Sequence, residues 1–272
     1  MHITANTDSP IVLAKLSVEI LVSIHAYLLF FAIVALASFC QNLTGFAFGL
    51  ILVGLVGALS LMPISEAANA ATIMSIANGA VYIRTHPFKP DWTLLKPMLI
   101  SSVIGVLIGV GTLSLLSNHA IAGLSLTLGA AIVACAMLLF AQKKPRATMS
   151  GQRALYTAGL LSGLLGGLFA TPGPPMVYHL YRQPLAPIVI RQCLVVMFIS
   201  AVIIRLGLVV YAGTFALSSL YLGLMAVPLV AVVTWLHAKY PPKLPAYLVR
   251  WLVCALMLAA GGSLIFSAIA HL

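Results

Sequence analysis

Between residues 24 and 271 the chain is a succession of apolar runs, each cut from the next only by a short cluster of Lys, Arg, Pro or turn residues. Runs of this kind suit helices of about 20 residues crossing a lipid bilayer. Composition agrees: 62% of the residues are apolar, 7% are charged and the mean hydropathy is +1.14. A soluble domain has about 45–50% apolar and about 25% charged residues, so this excess does not fit inside one globular core. The 272 residues hold about eight to ten spans and leave no room for a soluble catalytic domain. The reading is an all-α polytopic membrane protein.

The runs fall near 24 to 41, 46 to 62, 67 to 84, 96 to 116 and 119 to 141, then near 154 to 170, 174 to 187, 188 to 211, 215 to 236 and 248 to 271. Ordered this way, the chain has an N-terminal segment (1–23), a first membrane repeat (24–142), a basic cytoplasmic linker (143–153) and a second membrane repeat (154–272). Leu28 to Ala37 has the apolar core of a secretory signal, but the segment before it sets Asp8 and Glu19 against Lys15, so the run is read as retained.

The formal charge of +10 comes from 14 Lys and Arg against 4 Asp and Glu. The basic residues sit between apolar runs, where anionic lipid headgroups account for them and nucleic acid is not called for. Twelve of the 14 fall in four stretches: Arg84, Lys89 and Lys96; Lys143, Lys144, Arg146 and Arg153; Arg182 and Arg191; Lys239, Lys243 and Arg250. Two runs separate each stretch from the next, so all four can stay on the cytoplasmic side of the membrane, which puts both termini outside. Trp92, Trp235 and Trp251 lie beside these stretches, as an interfacial aromatic belt requires. Corresponding runs of the two halves then point in opposite directions, which makes the halves inverted-topology repeats, each a broken-helix hairpin followed by three spans. That architecture belongs to secondary transporters.

Each half opens with an interrupted run. The interruptions are Gln41-Asn42-Leu43-Thr44-Gly45 and Ala170-Thr171-Pro172-Gly173-Pro174-Pro175. Non-helical backbone at membrane depth is tolerated where it is buried in protein or lines a cavity. Thr44 and Thr171 suit helix N-caps, and proline at 172 or 174 suits a first turn. If the hairpins enter from opposite sides, two helix N-termini meet near the bilayer middle, each with a partial positive charge and unpaired N–H groups. That pairing favours a small anion. Asn42, Thr44, Gly45, Phe46, Thr171, Pro172, Gly173 and Pro174 are therefore candidate ligands. Gly163, Gly166 and Gly167 have the spacing of tight helix packing, the competing explanation for glycine here.

Asn69, Thr72, Ser75 and Asn78 recur at three-residue steps and share a helix face. Asn69 and Asn78 join the candidate substrate contacts, with helix–helix hydrogen bonding as the alternative. Arg191, beside Gln192, either reaches the anion or snorkels to the surface; both are second-line contacts. Arg205 lies deeper, where a charge costs about 3 kcal/mol or more; a structural ion pair with Glu66 and a substrate contact both remain open. A coupling ion, H+ or Na+, would need Glu66, His179 or carbonyls at the breaks.

Cys40, Cys135, Cys193 and Cys254 stand singly in apolar stretches and read as small hydrophobes, with no metal site and no cofactor. The carboxylates at 8, 19, 66 and 91 are scattered, which argues against a membrane enzyme.

Two stretches carry a family resemblance: Thr44-Gly45-Phe46-Ala47-Phe48-Gly49, and the run Gly163-Leu164-Leu165-Gly166-Gly167-Leu168-Phe169-Ala170-Thr171-Pro172-Gly173-Pro174-Pro175. With Arg191 opening the following helix, the chain from about residue 30 resembles the sulfite exporter TauE/SafE family, also called the 4-toluene sulfonate uptake permeases. The resemblance implies secondary transport of sulfite, thiosulfate, sulfonates or related organic anions across a bacterial inner membrane. It leaves import against export open, as it does a passive anion channel in place of alternating access. The sequence is silent on oligomeric state.

Overall fold

The computed structural model describes residues 10–85, 90–119, 121–140, 146–242 and 245–270. Lys89, Lys143, Lys144 and Lys243 of the basic stretches and the first nine residues of the N-terminal segment lie outside them. Helix accounts for about 85% of the described residues, and no strand occurs among them. The helices are α1 (Pro10–Thr44), α2 (Phe48–Ala58), α3 (Ile64–Thr85), α4 (Trp92–His119), α5 (Ile121–Phe140), α6 (Gln152–Phe169), α7 (Pro174–Tyr181), α8 (Pro187–Tyr211), α9 (Leu217–Lys239) and α10 (Ala246–Ala270).

Six of them, α1, α4, α5, α8, α9 and α10, are long and apolar enough to cross a membrane. The 22-residue α3 and the 18-residue α6 have the length, but α3 carries Glu66, Asn69, Thr72, Ser75, Asn78 and Arg84, and α6 opens on Gln152 and Arg153. Large apolar side chains such as Ile104, Leu107 and Ile108 on α4, Ile203 on α8, Leu224 on α9 and Leu258 on α10 are exposed, the surface that lipid covers. The chain is a multi-pass membrane protein.

Inside this ring lies α2. It is apolar all round, and eight of its 11 residues are buried, as expected of a helix enclosed by others. Close packing around it is set by glycine. Gly159, Gly163 and Gly167 share one face of α6. A Cβ on Gly163 would run into the Ser102 carbonyl of α4, and one on Gly167 would lie 2.5 Å from the Val106 carbonyl oxygen. Between α5 and α10, Gly129 and Gly261 approach each other's backbone at 2.8 and 2.9 Å by the same measure. Two of the three glycines weighed for tight packing therefore do pack α6 on α4. Gly166 instead backs onto Pro172, which a Cβ there would meet at 3.1 Å.

Both interrupted runs turn back on themselves. Helix α1 continues through Gln41, Asn42 and Leu43 to Thr44, one turn further than the sequence break suggested, and the Thr44 hydroxyl, instead of capping the next helix, donates back to the Cys40 carbonyl at 2.8 Å. Gly45, at φ +87°, ends the helix, its N–H donating to the Gln41 carbonyl at 2.6 Å. Helix α6 ends at Ala170 in the left-handed conformation, φ +56°. The second hairpin closes on its own start: Gln183, just after α7, donates from Nε2 to Ser150 Oγ at 2.9 Å and accepts from the Ser150 N–H at 2.9 Å, next to the first residues of α6.

Candidate functional site

The tips of the two hairpins touch. A Cβ placed on Gly49, in the first turn of α2, would overlap Thr171 Cγ2 and come within 2.9 Å of the Ala170 carbonyl oxygen. Across the same contact Gly173 leaves room for Phe46, whose Cβ would be 3.1 Å from a Cβ on that glycine.

Neither threonine caps a helix. The N-cap of α2 is Ala47 and that of α7 is Gly173, and neither makes a side-chain cap bond. Instead Gln41 Oε1 accepts from the Phe48 N–H at 3.2 Å, and Thr44 Oγ1 accepts from the Phe46 N–H at 3.4 Å. The two N-termini also differ in chemistry. Pro174 and Pro175 open α7, so its first turn lacks two of the N–H groups that an anion would use. Helix α2 opens on Phe48, Gly49 and Leu50, all with N–H groups.

Two adjoining cavities meet at these tips and share Gln41, Gly45, Gly79 and Val195 in their walls. The deeper lobe, about 40 Å³, is lined by Phe46, Gly49, Ser75, Ala170, Thr171, Pro172, Phe198, Ile199 and Val202. The outer lobe, about 60 Å³, is lined by Asn42, Asn78, Tyr82, Arg191, Thr234, His237 and Ala238. Arg191 is exposed, so this lobe reaches the surface where α8 begins.

Polar groups converge on both lobes. Asn42 Nδ2 donates to Thr234 Oγ1 at 3.2 Å, and the Thr234 hydroxyl donates to Asn78 Oδ1 at 3.0 Å. This relay spends the Asn78 carbonyl and leaves its Nδ2 amide buried without a partner; Asn78 is 3% exposed. In the deeper lobe the Thr171 hydroxyl is likewise buried without a partner, and Thr171 is 2% exposed. A buried polar group left unpaired costs about 1–3 kcal/mol. One such donor among the residues that line each of the two adjoining lobes marks places where a ligand can complete the hydrogen bonding.

Of the residues singled out from sequence, Asn42, Gly45, Phe46, Asn78, Thr171, Pro172 and Arg191 line the two lobes. Thr44 and Gly173 sit behind the tips, and Pro174 begins α7. Gln192 is buried one residue from Arg191 and lines neither lobe. Asn69 lies elsewhere: its Oδ1 accepts from Arg205 Nη1 at 3.0 Å, because the three-residue steps drift around the helix and the nine residues from it to Asn78, about two and a half turns, set the two on opposite sides of α3. The alternative of a Glu66–Arg205 ion pair does not hold, since Glu66 Oε2 accepts from the Ser218 hydroxyl at 2.9 Å while Arg205 bonds to neutral acceptors. His179 is 3.1 Å from the Gln183 amide at the far end of α7. Gln41, Gly49, Ser75, Tyr82, Thr234 and His237 line the site without having been singled out. For Gln41 the signal was at hand, since it opens the first interruption; Thr234 and His237 carry none beyond being polar near the end of a span.

Among the described residues no group of three His, Cys, Asp or Glu comes together to hold a metal. The family model for the sulfite exporter TauE/SafE matches residues 30–264.

The chain belongs to the TauE/SafE family.

A protein of Cupriavidus necator named as a probable sulfite/organosulfonate exporter TauE is 29% identical over 238 residues, covering 88% of this chain and 93% of its own. No solved structure matches significantly. The TauE/SafE proteins are membrane exporters and not enzymes, and the match spans both hairpins and every residue that lines the two lobes.

Proposed function

We propose that the chain is a secondary transporter that moves a small sulfur oxyanion, of the sulfite, thiosulfate or organosulfonate class, out of the cell by alternating access. The observation that carries this reading is the unpartnered, buried Thr171 hydroxyl set against the first turn of α2 in the deeper lobe. A hydroxyl donor, a helix N-terminus with its N–H groups and a rim guanidinium at Arg191 together suit an anion with several oxygens. The name of the Cupriavidus relative points to the same class.

Further support comes from the pairing of helices. α4 packs on α6 as α9 packs on α1; α3 packs on α9 as α8 packs on α4; α2 packs on α10 as α7 packs on α5. α3–α8 and α5–α10 pair with each other, as elements related by a two-fold axis do. This pairing supports two repeats, α1–α5 and α6–α10, which on the inverted reading rock about a shared site. With the basic ends cytoplasmic, the present cavity faces the cytoplasm of a bacterial inner membrane and both termini face outward. Beyond the deeper lobe, Arg205, Asn69 and Thr72 join α8 to α3 by hydrogen bonds, an arrangement that suits a carrier better than a through-pore.

Neither Glu66 nor His179 lines the cavity, so neither is taken as a coupling group; the proposed driving force is the anion's own electrochemical gradient, with the inside-negative potential expelling it. The test is thermal stabilisation of the purified protein by sulfite, thiosulfate, sulfonates, carboxylates and phosphate, followed by counterflow in proteoliposomes. Sulfite and sulfonates are expected to stabilise it and to exchange. Stabilisation by cations or neutral solutes with none by anions overturns the reading.

A further inference from the structure

Arg205 is fully buried, in the second turn from the end of α8. Its Nε donates to the Gly167 carbonyl at 3.0 Å, and its Nη1 donates to Asn69 Oδ1 at 3.0 Å, to Thr72 Oγ1 at 2.8 Å and to the Ala68 carbonyl at 3.5 Å. Every one of these acceptors is neutral. Its Nη2 is buried with no partner. Among the described residues Arg205 therefore keeps a whole positive charge and an unused donor group inside the protein without a counter-charge.

A buried guanidinium normally has a carboxylate beside it, because neutral acceptors return only part of the lost hydration. The nearest acidic candidate on α3, Glu66, bonds to Ser218 instead. Position matters as much as charge. Val202 and Ser75 line the deeper lobe, and Arg205 and Thr72 stand one helical turn, about 5 Å, beyond each of them. The guanidinium thus lies behind the far wall of the cavity, where it ties α3 to α6 and α8.

We propose that Arg205 is a second anion station, on the exit side of the deeper lobe: when α3 and α8 separate, Nη2 and the Thr72 and Asn69 side chains receive an oxyanion that supplies the missing counter-charge. In the present conformation the neutral bonds of Arg205 hold that side closed. The inference rests on the anion-carrier reading and adds to it a residue that meets the substrate after Thr171.

The test uses the full chain in detergent and in proteoliposomes with radiolabelled sulfite. Arg205→Met removes the charge and keeps an unbranched apolar stem of similar reach. Its unfolding temperature is expected to equal or exceed that of the wild type, and sulfite should still stabilise it through the deeper lobe. Counterflow should fall by at least about 30-fold, the loss expected when one partner of a buried charged pair is removed. Thr72→Asp leaves Arg205 in place and gives it a tethered carboxylate, which should occupy the station and lower counterflow by at least about tenfold. If Arg205→Met fails to fold, Thr72→Asp decides alone. Counterflow within about threefold of wild type in either folded variant overturns the station; so does loss of sulfite stabilisation in folded Arg205→Met, which would make the residue structural. Absence of sulfite exchange in the wild type would instead remove the anion-carrier reading, whatever Arg205 does.

Discussion

Gly49 and Thr171 touch across the tips of two hairpins, and there is no space for even one methyl group between them: a Cβ on Gly49 would overlap Thr171 Cγ2. The nearby Ala170 carbonyl, 2.9 Å from that Cβ, is backbone and cannot rotate away. Gly49→Ala therefore has to push the tips apart. The expected cost is about 1–3 kcal/mol, read as a lower unfolding temperature, together with loss of sulfite counterflow. Wild-type flux in the Gly49→Ala variant would mean that the tips need not touch for transport.

Thr171→Val keeps the branched shape that fills this contact and removes only the unpaired hydroxyl. Stability is expected to hold or rise, because a buried group without a partner disappears. Sulfite affinity should fall by about tenfold or more, as for a hydrogen bond of about 1.5–3 kcal/mol to a charged group. Titration by thermal shift checks both at once, and an unchanged sulfite response would take Thr171 out of the site.

Gln41 is expected to tolerate a change of charge but not to stay functional with it. Gln41→Glu preserves the oxygen that accepts from the Phe48 N–H and places a negative charge in the wall shared by both lobes. Helix α2 should remain capped, since a carboxylate suits a helix N-terminus, while sulfite binding drops by at least about tenfold through like-charge repulsion. Binding at wild-type affinity would show that the anion does not approach this wall.

Thr234→Val breaks the Asn42–Thr234–Asn78 relay at its centre. The part-buried Asn42 amide and the buried Asn78 carbonyl then lose partners, and the variant is expected to lose about 1–3 kcal/mol of stability. Denaturation of the purified variant measures it. A smaller effect than that of Ser218→Ala, at a hydroxyl exposed beside Glu66, would contradict the relay.

Glu66→Gln and His179→Gln are expected to leave sulfite counterflow within about twofold of wild type, since neither side chain reaches the cavity. A potassium diffusion potential imposed on the vesicles should drive sulfite toward the positive side in both variants and in wild type. Loss of transport in either variant would make that residue a coupling group.

Much of the site was readable from residue type alone. Gly45 and the Ala170–Pro175 stretch stood out as interruptions because glycine admits the left-handed conformation that ends a helix and three prolines within four residues remove the N–H groups that would continue one, whereas the single prolines at 97 and 228 stay inside α4 and α9. Which groups those interruptions expose was not readable. Thr44 looks like an N-cap next to a break, but its hydroxyl found the Cys40 carbonyl one turn back, and the proline pair that starts α7 also empties its first turn of N–H groups. Asn69 and Asn78 lie in one polar series, but nine residues, about two and a half turns, set them on opposite sides of α3; the neighbours on other helices then decide that one meets Arg205 and the other the cavity.

Apolar runs, charge clusters and breaks are local properties, so the sequence by itself determined a helical membrane protein, its basic ends and the two places where its helices reverse. Tertiary structure decided what those reversals face. Whether an amide, a hydroxyl or a guanidinium is left without a partner depends on residues as distant along the chain as Asn42 and Thr234, or Thr72 and Arg205. Unmet hydrogen-bonding capacity at Thr171, Asn78 and Arg205 is a property of the packed bundle, because a polar group becomes costly only once the surrounding helices have removed every other partner.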